Sequence, residues 1–267
     1  MQLWAGDEAV LASEHVGDEF LVSVALPHRY DTGGEDFPVI VVLDAHWLFG
    51  TVRDLATSLA MGRQVPRALV VGVGYPTTDL ARVTQLRQRD ATPTEAPFPA
   101  GTTFGAAPGA LGTGGAEGLR AFLNLELRPW LAERYRVRGP RVLVGHSMTA
   151  LFGAHTLLVE PSSFDAYLLA SPSLWWDERA MLRDSALTRT EPPLGADAYV
   201  SVGGAEDNPT TAFDMGANAR GLVEVLRARG GDGRHRVTFE VLDGETHHST
   251  TGQAVSRGLR ALLSTPG

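Results

Sequence analysis

The sequence predicts an α/β fold in which helices cover both faces of a mostly parallel, eight-stranded sheet. Three observations support this prediction. The 267-residue chain is 43% hydrophobic and 20% charged, a composition typical of globular domains. Short apolar runs alternate with longer helical patterns, the order expected when parallel strands are joined by helices. Several of these runs are apolar at nearly every position, as in strands that are buried on both faces.

The predicted strands begin with a hairpin, in which residues 8–13 and 19–26 are joined near Gly17 and Asp18. Six further strands are predicted at 37–44, 67–75, 141–145, 164–170, 197–203 and 236–244. Helices are predicted between them, at 49–61, 116–135, 148–159, 213–229 and 251–264. The length and the continuous series of strands indicate a single domain over residues 1–267.

One segment interrupts this alternation. From Arg87 to Gly115, 15 of 29 residues are Gly, Pro or Thr. A surface loop without a function would have this composition too. We predict a lid or pocket wall at 87–115, because long structureless loops in compact domains are usually either disordered or functional.

Composition excludes several classes of function. The chain has no cysteine, which rules out disulfides, thiolate catalysis and cysteine-bound metals, and we expect no cofactor or metal. The net charge is −8 and no run of five basic residues occurs, so nucleic acid is not an expected partner. The N-terminus is acidic where a signal peptide is basic, and no apolar stretch approaches the roughly 18 residues of a membrane span. We therefore expect a cytoplasmic protein that makes no contact with a membrane; the oligomeric state is not predicted.

The stretch VGHSMTA (144–150) nearly matches G-x-S-x-G, the turn that carries a nucleophilic serine. Ser147 lies between a predicted strand and a predicted helix, at the edge of the sheet where α/β proteins place their chemistry. Thr149 stands where the motif has its second glycine. The match is therefore weak when taken alone, and Ser147 could instead cap the helix without any chemistry.

The loops after the last two predicted strands supply the other groups that a nucleophilic serine needs. Glu206 and Asp207 follow the strand at 197–203, and His247 and His248 follow the last strand. In proteins that have such a turn, the serine, the acid and the histidine follow one another along the chain in this order. A histidine would accept the serine proton, and the acid would orient its ring. The alternatives are acids that cap the next helix and histidines without a role.

Segments along nearly the whole chain resemble the putative-esterase branch of the α/β-hydrolases, which contains enterochelin-type siderophore esterases and esterase D-like enzymes. The similar segments are FPVIVVLDAHWLFG, RQRDATP, GGAEGLRAFLNLELRPWLAERYRV, VGHSMTALFGAHTLL and FDAYLLASPSLWWD. The family pattern usually reads GHS-x-GG-x-F, so Thr149 and Ala150 depart from it. The resemblance implies an α/β-hydrolase fold and a serine esterase that needs no metal.

The resemblance also implies roles for single residues. Ser147 would be the nucleophile, His247 rather than His248 the base, and Glu206 the acid. Asp207 remains an alternative acid, and some members of the branch resemble a Ser–His dyad. 

Backbone N–H groups would bind the oxyanion of the intermediate. Met148 supplies one of them, because it follows the serine, and Ala45 or His46 supplies the second after the strand at 37–44. His146 adjoins the nucleophile and could contact the substrate.

Two further pairs of residues are candidates for substrate binding. Arg87 and Arg89 could bind an anionic or catecholate substrate, or could pair with Asp90 and hold the loop. Trp175 and Trp176 could form the wall of an aromatic pocket, or could belong to the core.

These predictions combine into one function, the cleavage of a carboxylic ester through an acyl-serine intermediate. The expected partner is a small-molecule ester, either a small or medium acyl ester or a siderophore-type lactone. Two alternatives stay open: an acyltransferase with the same triad, and a binding protein on an inactive hydrolase fold, which Thr149 suggests.

Overall fold

Eight strands form one sheet in the computed structural model, which describes residues 6–99, 108–188, 193–207, 213–230 and 233–264. The strands are β1 (Gly6–Ser13), β2 (Asp18–Ala25), β3 (Phe37–Val42), β4 (Leu69–Gly74), β5 (Val137–His146), β6 (Ala166–Ala170), β7 (Asp197–Gly203) and β8 (Val237–Leu242). Their order across the sheet is β1-β2-β4-β3-β5-β6-β7-β8. The pairs β1–β2 and β2–β4 are antiparallel, and all pairs from β4 to β8 are parallel. The predicted hairpin and the mostly parallel sheet are therefore confirmed.

Helices cover both faces of this sheet. They are α1 (Ala45–Met61), α2 (Leu80–Asp90), α3 (Ala116–Ala121), α4 (Arg128–Arg134), α5 (Met148–Val159), α6 (Trp176–Arg183), α7 (Ser185–Thr188), α8 (Met215–Arg229) and α9 (Thr250–Leu263). A π-helical stretch at Phe122–Leu127 joins α3 to α4. Within the described ranges, no helix is both long and apolar enough to cross a bilayer.

The two faces have separate cores because successive side chains of a strand point to opposite sides. In β3, Val39 and Val41 pack into one core, whose other members include residues of α5 and α8. Ile40 and Val42 pack into the second core, with residues of α1 and α9. This double burial explains why the central strands are apolar at nearly every position.

Four helices differ from the predictions: α1 begins earlier than expected, and α2, α6 and α7 were not predicted. Helix α1 begins at Ala45, four residues before the predicted start, because Asp44 adopts a left-handed conformation (φ 57°) that turns the chain directly into the helix. Of the buried residues of α2, Val83 and Leu86 are apolar but Gln88 and Asp90 are polar, so its apolar periodicity is weak.

The existence of α2 corrects the predicted loop at 87–115. Residues 87–90 are the last turn of α2 and are not structureless, while residues 100–107 of this segment lie outside the described residues. The segment packs against α6, since Trp176 Nε1 donates to Thr94 Oγ1 at 3.0 Å and the Phe98 ring meets the Trp176 ring edge-on at 4.9 Å. Its function as a lid or pocket wall stays a prediction, as does the single domain.

Candidate active site

Ser147 lies at a sharp turn between β5 and α5. Its backbone is in an unfavourable region (φ 60°, ψ −115°), as expected of a serine that a strand-to-helix turn lifts away from the sheet. The turn is tight at Gly145, where a Cβ atom would lie 2.5 Å from the carbonyl oxygen of Thr149. Glycine is therefore required at position 145. At position 149 a side chain is accommodated, and its hydroxyl is bonded to His146 and Asp44.

The Ser147 hydroxyl lies at the end of a chain of hydrogen bonds. Its Oγ is 3.0 Å from His247 Nε2, and His247 Nδ1 is 2.5 Å from Glu206 Oε1. The other carboxylate oxygen, Glu206 Oε2, accepts from Ser171 Oγ at 2.6 Å and from the Gly203 N–H at 2.8 Å. With both oxygens engaged, Glu206 presents one fixed acceptor to His247.

Burial opposes ionisation of Glu206, but its hydrogen bonds outweigh this effect. The bonds from His247 and Ser171, the charge of His247 and the bond from the Gly203 N–H together hold the pKa of Glu206 below its usual value. The carboxylate is therefore charged at neutral pH, and His247 Nδ1 carries the proton that it accepts.

Adjacent acids and adjacent histidines take different positions. The Asp207 side chain turns outward and forms two hydrogen bonds with Arg220, at 2.7 and 2.6 Å. The guanidinium of Arg220 lowers the pKa of Asp207. The His248 ring meets the His247 ring edge-on at 5.3 Å and does not replace it beside Ser147. The structure thus brings Glu206 and His247 to Ser147 and leaves Asp207 at the surface.

A cavity of about 590 Å³ opens at the Ser147 hydroxyl. It is lined by Asp44, Trp47, Leu48, Thr51, Thr84, Arg87, Gln88, His146, Ser147, Met148, Trp175, His247, His248 and Thr251. Trp47, which the sequence analysis did not single out, is 45% exposed, whereas Trp175 is buried. The cavity therefore has one aromatic ring open to solvent and another in its wall.

Two helix N-termini meet beside Ser147. The helices that follow the neighbouring parallel strands β3 and β5 are each preceded by a residue with positive φ, Asp44 before α1 and Ser147 before α5. The bonds from Trp47 N and Leu48 N to Asp44 O begin the ladder of α1, so the N–H groups of Ala45 and His46 precede it. Met148 holds the corresponding place in α5. Residues from the first turns of both helices, among them Trp47, Leu48 and Met148, line the cavity.

Arg87 is engaged by protein groups. Its Nε and Nη2 atoms donate to the two oxygens of Asp44, at 2.6 and 2.9 Å, and Nη2 also donates to the His146 carbonyl at 2.9 Å. Its guanidinium also lies 6.0 Å from the centre of the Trp47 ring. Arg87 does line the cavity, as predicted for a substrate-binding residue, but its guanidinium group is paired with Asp44.

The structure corrects two predicted substrate contacts. Arg89 pairs with Asp90 and Asp18, and Trp176 is 2% exposed and bonded to Thr94. Among the described residues, neither belongs to the lining of the cavity. Arg89 follows the alternative prediction, an ion pair that holds the loop, and Trp176 belongs to the core.

His146 holds the loop of His247, since its Nε2 lies 2.7 Å from the carbonyl oxygen of His247 and can donate to it. Burial lowers the pKa of His146 to about 4, with further contributions from the positive charges of His247 and Arg87. The ring is therefore neutral at pH 7 and can donate this bond from Nε2.

Sequence reasoning missed two serines of the segment SPSLWWD. Ser171 Oγ holds Glu206, and Ser173 Oγ lies 3.1 Å from Ser147 Oγ. Both residues are fully or almost fully buried. Their position after β6, the strand next to β5, is the signal that could have identified them, because the carboxyl ends of neighbouring parallel strands share one edge.

The chain is similar to known proteins in sequence and in fold. Residues 13–250 match the family described as "Putative esterase". The chain is 27% identical to a siderophore triacetylfusarinine C esterase of Aspergillus fumigatus, with 91% of this chain and 88% of that protein covered. It is 31% identical to the ferri-bacillibactin esterase BesA of Bacillus subtilis, with 86% and 80% covered.

A solved structure, the siderophore hydrolase EstB of Aspergillus nidulans, superimposes with a TM-score of 0.81. The two chains are 27% identical, and the match covers 99% of this chain and 96% of EstB. The family match spans most of the sequence, and the fold resembles that of EstB over nearly the whole chain. The chain therefore belongs to the putative-esterase family of the α/β-hydrolases and is an esterase, a hydrolase of carboxylic esters.

Proposed function

We propose that Ser147, His247 and Glu206 form the catalytic triad of this esterase. The observation that supports this assignment is the continuous chain of hydrogen bonds from Ser147 Oγ through His247 to Glu206, with distances of 3.0 and 2.5 Å. In the proposed reaction, His247 Nε2 accepts the serine proton while Ser147 Oγ attacks the ester carbonyl. Glu206 stabilises the imidazolium that forms.

The resulting oxyanion is bound by the Met148 N–H and by the N–H of Ala45 or His46. One such donor typically contributes about 10²–10³ to the rate. Collapse of the intermediate transfers the proton from His247 to the leaving alcohol and leaves an acyl-serine. A water molecule, activated by His247, then attacks the acyl group and restores Ser147.

We further propose a siderophore-type ester as the substrate. The relatives named above act on triacetylfusarinine C and ferri-bacillibactin, and a cavity of about 590 Å³ suits a ligand of moderate size. Trp47 offers an exposed aromatic surface at this cavity.

The charges at the cavity favour an ester without net negative charge. Arg87 is the one arginine of the described lining, and it already neutralises Asp44. Since the neutral His146 adds no positive charge, an anionic catecholate would meet no unpaired guanidinium there. This replaces the earlier hypothesis that Arg87 binds such an anion.

Intact-mass spectrometry with a fluorophosphonate probe tests the triad. We expect one adduct on the wild-type chain and none on Ser147→Ala. An unlabelled wild-type chain would contradict the assignment and favour a binding protein on an inactive hydrolase fold.

Steady-state kinetics with two kinds of ester, followed by analysis of the products, test the proposed substrate class. We expect an uncharged trihydroxamate ester to be cleaved with a higher kcat/KM than an anionic catecholate trilactone. The reverse preference would contradict the proposed substrate class. A product in which an added alcohol replaces water would indicate acyl transfer.

A further inference from the structure

Thr149 departs from the usual family pattern, and its hydroxyl takes part in a closed network of hydrogen bonds. The side chain is 4% exposed. Thr149 Oγ1 accepts from the His146 N–H at 3.0 Å and lies 2.8 Å from Asp44 Oδ2. The hydroxyl has one proton, and two acceptors lie within its reach, Asp44 Oδ2 and, at 3.0 Å, the His146 carbonyl oxygen. We assign the proton to the bond with Asp44, because that contact is the shorter one and its acceptor is charged.

Arg87 closes this network. Its guanidinium donates to both oxygens of Asp44 and to the His146 carbonyl. Asp44 thereby accepts two bonds from Arg87 and one from Thr149, and the backbone of His146 is bonded at both its N–H and its carbonyl. A glycine at position 149 would leave Asp44 without its bond to α5.

Asp44 needs such support because its backbone is left-handed, with φ at 57°. This conformation is sterically unfavourable for a residue with a side chain. Surrounding contacts must therefore hold it in place. The same conformation directs the chain into α1, where the N–H groups of Ala45 and His46 come next.

Thr149 thus connects the two places from which the oxyanion is bound. It follows Met148 directly in α5, and its hydroxyl bonds to the residue that directly precedes Ala45. We infer that Thr149 is a positioning residue, whose bond to Asp44 keeps the N–H donors at the start of α1 in register with the Met148 N–H. This inference rests on the proposed serine esterase function.

The inference makes a prediction that a merely structural role for Thr149 does not share. Loss of the bond displaces one donor relative to the other, which weakens binding of the transition state more than binding of the ester. Thr149→Val removes the hydroxyl and keeps the shape of the side chain. We expect kcat to fall about 10- to 100-fold, less than for complete loss of a donor, with KM changed by about threefold at most.

The chain offers a matched control on the same helix. Thr156 is also fully buried in α5, but its Oγ1 has no hydrogen-bond partner. Thr156→Val therefore changes the same atoms without breaking a bond, and we expect kcat within about twofold of wild type. Thr149→Ser keeps the hydroxyl, and we expect it to retain most of kcat.

Three measurements on each variant complete the test: steady-state kinetics with an uncharged acyl ester, inhibition by an aliphatic boronic acid, and the Tm. The boronic acid forms a tetrahedral adduct with serine, so its Ki reports the binding of the oxyanion. We expect the Ki to rise by about the same factor as kcat/KM falls in Thr149→Val, and to stay unchanged in Thr156→Val.

Several outcomes would overturn the inference. They are a kcat in Thr149→Val equal to that of the Thr156→Val control, a loss in Thr149→Ser as large as in Thr149→Val, and a gain of activity in Thr149→Gly. If Thr149→Val does not fold, Thr149→Ala tests the same bond with a smaller side chain.

The wild-type chain separates failure of this inference from failure of the proposed function. If the fluorophosphonate does not label wild type, the proposed function fails and this inference fails with it. If wild type is labelled and Thr149→Val keeps the full kcat and the same boronate Ki, the inference alone is overturned.

Discussion

Two carboxylates lie buried at the carboxyl edge of the sheet, on opposite sides of Ser147. Glu206 follows β7 and Asp44 follows β3, and their side chains are only 6% and 5% exposed. The partner of Glu206 is His247, whose charge changes when it accepts a proton. The partner of Asp44 is Arg87, which stays charged at every relevant pH.

Because their partners differ, the two buried carboxylates are expected to have different roles. Glu206 presents one oxygen to His247, whose ring, in the proposed mechanism, keeps a defined tautomer and becomes positively charged in the transition state. Asp44 is bonded to Arg87 and Thr149 and holds a left-handed turn of the backbone. A substitution at the first site should therefore act on the rate, and a substitution at the second site should act on stability as well.

The largest effect is expected for Glu206→Gln. The amide oxygen would keep the bonds from Ser171 and Gly203, so the NH₂ group would face His247 Nδ1. The ring would then carry its proton on Nε2, toward Ser147, and could not accept the serine proton. We expect kcat to fall by about 10³- to 10⁴-fold, as measured with an uncharged ester.

Asp207→Asn is the control for this prediction, because it alters the adjacent acid in the same way. Asp207 pairs with Arg220 at the surface, and exposed pairs contribute little to stability. We expect kcat to remain within about twofold of wild type. A loss in Asp207→Asn as large as in Glu206→Gln would mean that the acid has been misassigned.

The next effect concerns stability on the Asp44 side. Arg87→Ala leaves a buried carboxylate with Thr149 as its remaining side-chain donor. Removing one partner of a buried ion pair typically lowers the free energy of unfolding by about 3–5 kcal/mol. Arg220→Ala, which removes an exposed partner, should lower it by less than about 1 kcal/mol.

Urea unfolding monitored by circular dichroism gives both values. Equal losses in the two variants would show that the pair of Asp44 and Arg87 behaves like a surface pair.

The smallest effect is the response of stability to pH. In the unfolded chain His146 takes up a proton below about pH 6.5, whereas in the folded chain it stays neutral down to about pH 4. The unfolded state therefore binds more protons in this window, and the folded state loses stability as the pH falls from about 6.5 to 4. By pH 4.5 this loss is on the order of 2 kcal/mol.

His146→Gln lacks this titration. Thermal unfolding between pH 7.5 and 4.5 should show that the wild-type chain loses more stability on acidification than the variant. Parallel pH profiles for the two chains would contradict the low pKa of His146.

Much of this molecule could be predicted from the sequence because the signals are local. Several strands showed as nearly continuous apolar runs, and Ser147, Glu206 and His247 each follow a predicted strand. The rule that parallel strands present their carboxyl ends at one edge was enough to group these residues. Asp44 was not among the predicted site residues, since nothing local marked it as a residue with its own bonds.

Helix α2 shows where the local signal was too weak. Its buried face includes Gln88, which accepts from the Gly109 N–H, and Asp90, which accepts from Tyr75 at 3.0 Å and from the adjacent Arg89. A polar residue in a buried position resembles an exposed one as long as its partner is unknown. The failure to predict α2 thus follows from the limits of apolar periodicity.

The amino-acid sequence was sufficient for the order of the strands along the chain, the strand-end loops and the residue types that these loops carry. The choice between Glu206 and Asp207, the engagement of Arg87 and the bond of Thr149 depended on the folded arrangement. Thr149 and Asp44 are 105 residues apart, and they meet because β3 and β5 are neighbours in the sheet. Patterns within a strand or helix record which face is buried, but the direction of a polar side chain depends on partners that the fold brings from elsewhere.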